Sequence, residues 1–248
     1  MQPIRSLSFD ILFVLWTILL SPVVFLLYVT KASQASVRRL SLFWAKGGVD
    51  LLKHVVGLRY TELGKSNVVD GPLLIICNHQ STFETLLLPV LFPKATFVCK
   101  IELARIPVFG WCLKHYPMIM IDRAAGPRAL ARLRAQSEAA VKNGFSVAIF
   151  PEGTRKSVDE DVAFLRGVEY LYKTLNIPVL PIVLNSGLFW GRGLPIKNHG
   201  VVTISYLPMI RPGLDAEEFR QTAESQMNAE KRRLGETVGS GERIDAPG

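Results

Sequence analysis

Residues 73–84 read LLIICNHQSTFE. The first five are uniformly apolar, too few for a helix and without polar alternation, which describes a short strand buried on both faces. A polar turn comes at once and sets His79 and Glu84 five positions apart. The pattern recurs along the chain. TFVC (96–99), MIMI (118–121), SVAIF (146–150), PVLPIVL (178–184) and VVTISY (201–206) read as further short strands. Helical patterns at 82–92, 127–142, 162–174 and 215–234 alternate with them, the second opened by Pro127 and stopped by Gly144. This alternation predicts an α/β fold, a mostly parallel central sheet flanked by helices.

The 248 residues suit one α/β domain with an appendage. The chain is 49% apolar and carries 29 Lys and Arg against 21 Asp and Glu, a net charge of +8. A basic, apolar chain points to an anionic partner, either lipid headgroups or nucleic acid. The N-terminus selects the lipid. ILFVLWTILLSPVVFLLY (11–28) is an uncharged run of 18 residues, at the lower limit for a spanning helix, which needs about 20. No small-residue cleavage pattern comes after it, which argues against a signal peptide. Pro22 is expected to kink or break this helix, so a short span and a re-entrant hairpin both remain open. Lys31, Arg38, Arg39 and Lys46 come next, and the positive-inside rule puts the downstream domain on the cytoplasmic side.

Residues 34–55 form a basic amphipathic pattern with Val37, Leu40, Trp44, Leu51 and Val55 near one face. Such a helix suits the headgroup level of a membrane, with packing against the core as the alternative. Gly47-Gly48 weakens it in the middle. The expected division is thus 1–56, membrane-embedded and interfacial helices; 57–234, the α/β domain; and 235–248, a flexible tail rich in Gly and charge. Cys77, Cys99 and Cys112 lie in or beside apolar runs without a CxxC pair. Free thiols in a reducing compartment are expected, and no metal site.

Polar clusters stand just after the strands: Asn78-His79, Asp122-Arg123, Pro151 to Arg155, and Asn185-Ser186-Gly187. Ligands of open α/β sheets bind beyond the carboxyl ends of the strands, so one shared site is the economical reading. A histidine can act as a base near neutral pH. If the chain turns at His79 and enters a helix near Thr82, Glu84 can fold back onto the imidazole and fix its tautomer. No GxSxG motif supplies a nucleophile, so the base would act on a substrate hydroxyl. Taken alone, a histidine bonded to backbone is the simpler reading of this pair. In FPEGTR (150–155), Gly153 allows a tight turn, Thr154 adds a hydroxyl, and Arg155 offers a planar fork of donors suited to phosphate. A solvated turn fits that block equally well. Asp122 and Arg123 suit a structural pair, and Lys100 a solvated helix start, although both cations could add positive potential to an anion site.

Taken together, four ordered blocks resemble the glycerolipid acyltransferase family, the 1-acyl-glycerol-3-phosphate acyltransferases. They are NHQSTFE (78–84), MIMIDR (118–123), FPEGTR (150–155) and IPVLPIVLNSG (177–187), with KIELARIPVFGW (100–111) similar to the family's link. The resemblance covers about residues 70 to 190. It implies that His79 is a general base for the free hydroxyl of lysophosphatidic acid, supported by Glu84, and that the donor is acyl-CoA or acyl-carrier protein. It also implies that Glu152, Gly153, Thr154 and Arg155 hold the acceptor phosphate, with Lys100 and Arg123 as helpers. The product would be phosphatidic acid in phospholipid biosynthesis, made without cofactor or metal. The expected place is an anionic inner (cytoplasmic) membrane, with the catalytic domain on the cytoplasmic side. Nucleic acid is not an expected partner. One residue departs from the pattern: the family has aspartate where this chain has Glu84, which leaves open another acceptor, such as glycerol-3-phosphate or a lyso-amino-lipid. A non-catalytic lipid-binding relative is the third reading.

Overall fold

The computed structural model describes residues 1–105, 109–116, 118–122 and 125–240. Its strands are β1 (Leu58–Leu63), β2 (Leu74–Cys77), β3 (Ala95–Lys100), β4 (Ile119–Ile121), β5 (Ser146–Ile149), β6 (Val179–Leu184) and β7 (Gly200–Tyr206). They form a single sheet in the order β1-β7-β6-β2-β5-β3-β4. Pairing is parallel except between β6 and β7. The helices are α1 (Gln2–Val29), α2 (Gln34–Leu51), α3 (Phe83–Leu91), α4 (Phe109–His115), α5 (Pro127–Lys142), α6 (Arg166–Leu175) and α7 (Ala216–Ser240).

The apolar run LLIIC sits at the centre of the sheet, where β2 is buried along its whole length. Alternate residues serve opposite layers. Ile75 and Cys77 pack with Phe9 of α1, Val49 of α2 and Phe83 of α3. Leu74 and Ile76 pack with Leu133 of α5, Val168 of α6 and Phe219 of α7. The chain leaves β2 through α3 on the first face to reach β3, and leaves β5 through α6 on the second to reach β6. The strand order therefore reverses between β2 and β5, which opens a crevice at their carboxyl ends. β6, β2, β5 and β3 run in parallel side by side, so the polar segments after them emerge along one edge.

Several elements depart from the sequence expectations. β1 has no clear signal in sequence, because LRYTEL is half polar. It is an edge strand paired with β7 alone and exposed at Arg59 and Tyr60. α6 begins at Arg166 and not near Val162. The preceding segment is held extended by α7, where Asn228 bonds both backbone groups of Val162 and Glu224 accepts the Phe164 N–H. α7 continues through Gly235 to Ser240, beyond the expected start of the flexible tail. Leu234 is fully buried and anchors this end, which offsets the roughly 1 kcal/mol propensity cost of one glycine.

α1 runs unbroken through Pro22, where a kink or break was expected. Proline deprives the Ile18 carbonyl of its helical donor, and the Ser21 hydroxyl supplies one at 2.7 Å. The helix is long and apolar enough to cross a membrane, and Ile11, Leu15, Ile18, Leu19, Phe25 and Leu26 are among its many exposed side chains. α2 packs between α1 and α3. Gly47 and Gly48 make that packing possible. A Cβ on Gly47 would stand 2.5 Å from the Trp16 ring, and one on Gly48 would stand 2.8 Å from Phe13. Gly47→Leu should therefore lower stability by about 1–3 kcal/mol through overpacking. The same change in a Trp16→Ala background should cost much less. Equal losses in both backgrounds, measured by thermal unfolding in detergent, would disprove the contact's role.

Candidate active site

The turn after β2 is tied down before any chemistry begins. Asn78 is fully buried. Its side chain exchanges two hydrogen bonds of 2.9 Å with the backbone of Leu184, extending the ladder to β6 where the main chain turns away. The next residues curl over the start of α3, and Glu84 lies in that helix's first turn, where an anion is favoured. Its carboxylate is fully buried and met by four groups. Oε1 accepts the N–H groups of Gln80 and Ser81 at 2.5 and 2.6 Å and lies 3.1 Å from His79 Nδ1. Oε2 accepts the Ser186 hydroxyl at 2.8 Å.

His79 is thus fixed from several sides. Glu84 takes Nδ1, which leaves Nε2 as the nitrogen available to a substrate. The ring stacks on Phe150 with centroids 4.1 Å apart and planes 16° apart. The His79 N–H donates to both Glu152 oxygens, at 3.3 and 3.2 Å, and its carbonyl accepts the Lys156 N–H at 2.8 Å. FPEGTR therefore wraps the histidine as well as ending β5.

His79 opens onto a cleft of about 1110 Å³ that Lys100, Gly153, Thr154 and Arg155 also line. Two further cations share its wall, Arg166 at the start of α6 and Arg192 in the loop after β6. Sequence reasoning missed both. Arg166 could have been found, since it opens the helix after β5 and so belongs to the same edge of the sheet. Arg192 has no such signal, because only the fold of its loop brings it to the cleft, where it also donates to the Arg155 carbonyl at 3.1 Å. The lining also includes the apolar side chains of Val98, Ile121, Leu130, Leu133 and Ile149. A separate, nearly all-apolar groove of about 680 Å³ lies between α1 and α2. Arg123 lies outside the described residues. Among the described residues no cluster of three His, Cys, Asp or Glu side chains could hold a metal ion.

Glu152 requires a correction. The sequence motif groups it with the phosphate contacts, but it is buried and does not line the cleft. A carboxylate would also repel a phosphate. Its role here is to hold the backbone of His79. Burial, its largest influence, pushes its carboxyl up to about 7, with the nearby Glu84 adding to the rise. An unfolded glutamate titrates near 4.3. The folded state therefore holds the proton more tightly, and stability falls as pH rises from about 4.3 through 7. Glu152→Gln retains an acceptor for the His79 N–H without the charge. Unfolding midpoints at pH 5 and pH 8 should lie closer together in the variant than in the wild type. An identical pH dependence in both would remove Glu152 as its source.

The acyltransferase family profile matches residues 59–185, a span that includes the His79 turn, FPEGTR and all of β6. A 1-acyl-sn-glycerol-3-phosphate acyltransferase of Pseudomonas aeruginosa is 36% identical over 75% of this chain and 70% of its own length. The yeast protein of the same name, from Saccharomyces cerevisiae, is 28% identical over 70% of this chain and 59% of its own. The fold matches the crystal structure of the 1-acyl-sn-glycerophosphate acyltransferase PlsC from Thermotoga maritima with a TM-score of 0.74, covering 95% of this chain and 98% of that one at 21% identity. The profile match and the Pseudomonas identity together place this chain in the acyltransferase family.

Proposed function

We propose that the protein transfers an acyl group from a thioester, acyl-CoA or acyl-carrier protein, to the free hydroxyl of 1-acyl-glycerol-3-phosphate, giving phosphatidic acid. The observation that carries this reading is the His79–Glu84 pair at the wall of a cleft that Arg155 and several apolar side chains also line. His79 Nε2 takes the proton of the acceptor hydroxyl as its oxygen attacks the thioester carbonyl. Glu84 stabilises the imidazolium so formed. The tetrahedral intermediate collapses by breaking the C–S bond, and the imidazolium returns the proton to the departing thiolate. Ester and thiol result, the charges balance, and His79 is restored.

Arg155 is the proposed main contact of the acceptor phosphate, with Lys100, Arg166 and Arg192 adding positive potential. Gly153 and Thr154 shape the turn that presents it. The apolar part of the lining offers a place for an acyl chain. α1 lies in the membrane in this reading, and the basic residues after it keep the catalytic domain at the anionic cytoplasmic face, where a single-chain phospholipid already presents its headgroup.

Transfer of a labelled acyl group to lysophosphatidic acid by protein in detergent tests the reading. Glycerol-3-phosphate and a lyso-amino-lipid serve as competing acceptors, and no transfer to lysophosphatidic acid would refute it. His79→Ala should abolish turnover. Glu84→Gln should lower kcat by about 10²–10⁴-fold, because the imidazolium loses its counter-charge. A wild-type kcat in Glu84→Gln would sink the dyad. Arg155→Ala should chiefly raise the acceptor's KM, by about tenfold or more, as loss of a charged contact predicts. If that KM is unchanged, the phosphate binds elsewhere.

A further inference from the structure

α1 meets the catalytic domain along a narrow seam whose polar members converge on one lysine. Ser6, Phe9 and Asp10 share a helix face, and all three contact Lys197 in the loop between β6 and β7. The Ser6 hydroxyl donates to the Lys197 carbonyl at 3.2 Å and accepts its N–H at 2.8 Å. Lys197 Nζ lies 2.8 Å from the Asp10 carboxylate and 3.0 Å from the Pro195 carbonyl. It also stands over the rings of Trp190 and Phe9, at 4.8 and 5.2 Å. The side chain is only 2% exposed. Lysine is almost never buried so deeply unless paired, and methionine would fill such a place without the desolvation cost.

The same loop reaches the active site at its other end. Ser186 holds Glu84, and the Gly187 N–H donates to the Gln80 side chain at 3.0 Å. Asn198 N–H closes onto the Phe189 carbonyl at 2.8 Å, so the loop is stapled next to Lys197. Arg192, at its tip, lines the cleft and holds the Arg155 carbonyl. One short segment thus joins the membrane helix to the carboxylate of the dyad and to the phosphate block.

We propose that Lys197 is a positioning residue for the acceptor site. By pinning the loop to α1 it fixes Arg192, and through Arg192 the backbone of Arg155. The docking of α1 then sets the geometry in which a phosphate is bound, and the N-terminal helix shapes the cleft as well as anchoring it. This rests on the reading of Arg155 as the phosphate contact.

Lys197→Met keeps most of the side chain's length and removes its charge. It should raise the KM for lysophosphatidic acid roughly tenfold while kcat stays within about twofold, an effect of the size seen for residues that act through others. Lys197→Arg should restore part of the loss. Arg192→Ala should raise KM similarly, and the double variant Lys197→Met, Arg192→Ala should be no worse than Arg192→Ala alone, since both act on one path. Hydrogen exchange reads the coupling without an acceptor. In Lys197→Met, faster exchange should extend from 190–198 to 153–156. A wild-type KM in Lys197→Met, full additivity in the double variant, or exchange changes confined to 190–198 would each overturn the proposal. If Lys197→Met fails to fold, Asp10→Asn, at the half-exposed end of the pair, carries the same measurements with a smaller expected rise in KM. Failure of the wild type itself to use lysophosphatidic acid would refute the assigned reaction, and the exchange experiment would still decide the role of Lys197.

Discussion

The buried carboxylate of Glu84 is the point on which the site depends. An ionised carboxylate removed from water is tolerable only when its lone pairs are filled. Here two backbone N–H groups, an imidazole nitrogen and a hydroxyl fill them. The four donors come from three separate constraints. The two N–H groups require the tight turn at Gln80-Ser81, the hydroxyl requires the end of β6, and the imidazole requires His79 to lie between that turn and Phe150. Removing any one would leave charge unmatched in a fully buried place. The local structure is therefore held by the same group that the proposed chemistry uses. Glutamate serves in this chain where the family pattern has aspartate, because its longer arm starts inside the first turn of α3 and still spans both the histidine and Ser186.

The sheet order explains why these groups meet. β2 and β5 are neighbours at the place where the connections switch faces, so the turn carrying His79 and the turn carrying Arg155 emerge side by side. β6 flanks them with Ser186 and β3 with Lys100. The continuous apolar runs make this much of the fold legible in sequence, since a strand buried on both faces leaves a distinct pattern and its end is marked by the first polar residue. The dyad is legible only beside the other blocks, since His79 and Glu84 alone read more simply as a histidine bonded to backbone.

Features invisible in the sequence depend on partners or rotamers that the letters do not specify. Pro22 suggests a break because the compensating Ser21 hydroxyl is a matter of rotamer. Gly47-Gly48 suggests a weakness, although Trp16 and Phe13 press against those positions and only glycine admits them. Glu152 suggests a ligand contact because it sits inside a conspicuous motif, yet its carboxylate turns inward to the His79 N–H. Arg192 gives no signal, lying more than thirty residues from the arginine whose backbone it holds.

Gly47, Gly48, Glu152 and Arg192 have one thing in common. Each serves a join: Gly47 and Gly48 the one between α1 and α2, Glu152 and Arg192 the one between turns of the site. A soluble α/β domain could place its anion-binding arginines on independently folded loops. This chain instead threads one loop between a helix that is almost wholly exposed on its outer face and a carboxylate that is wholly enclosed. The exposed apolar surface of α1 suits a membrane, whereas its inner seam meets Lys197 and the loop. The outer face of α1 is left for an apolar cover while its inner seam is held by protein contacts, so the loop beside the cleft meets this helix on one side only.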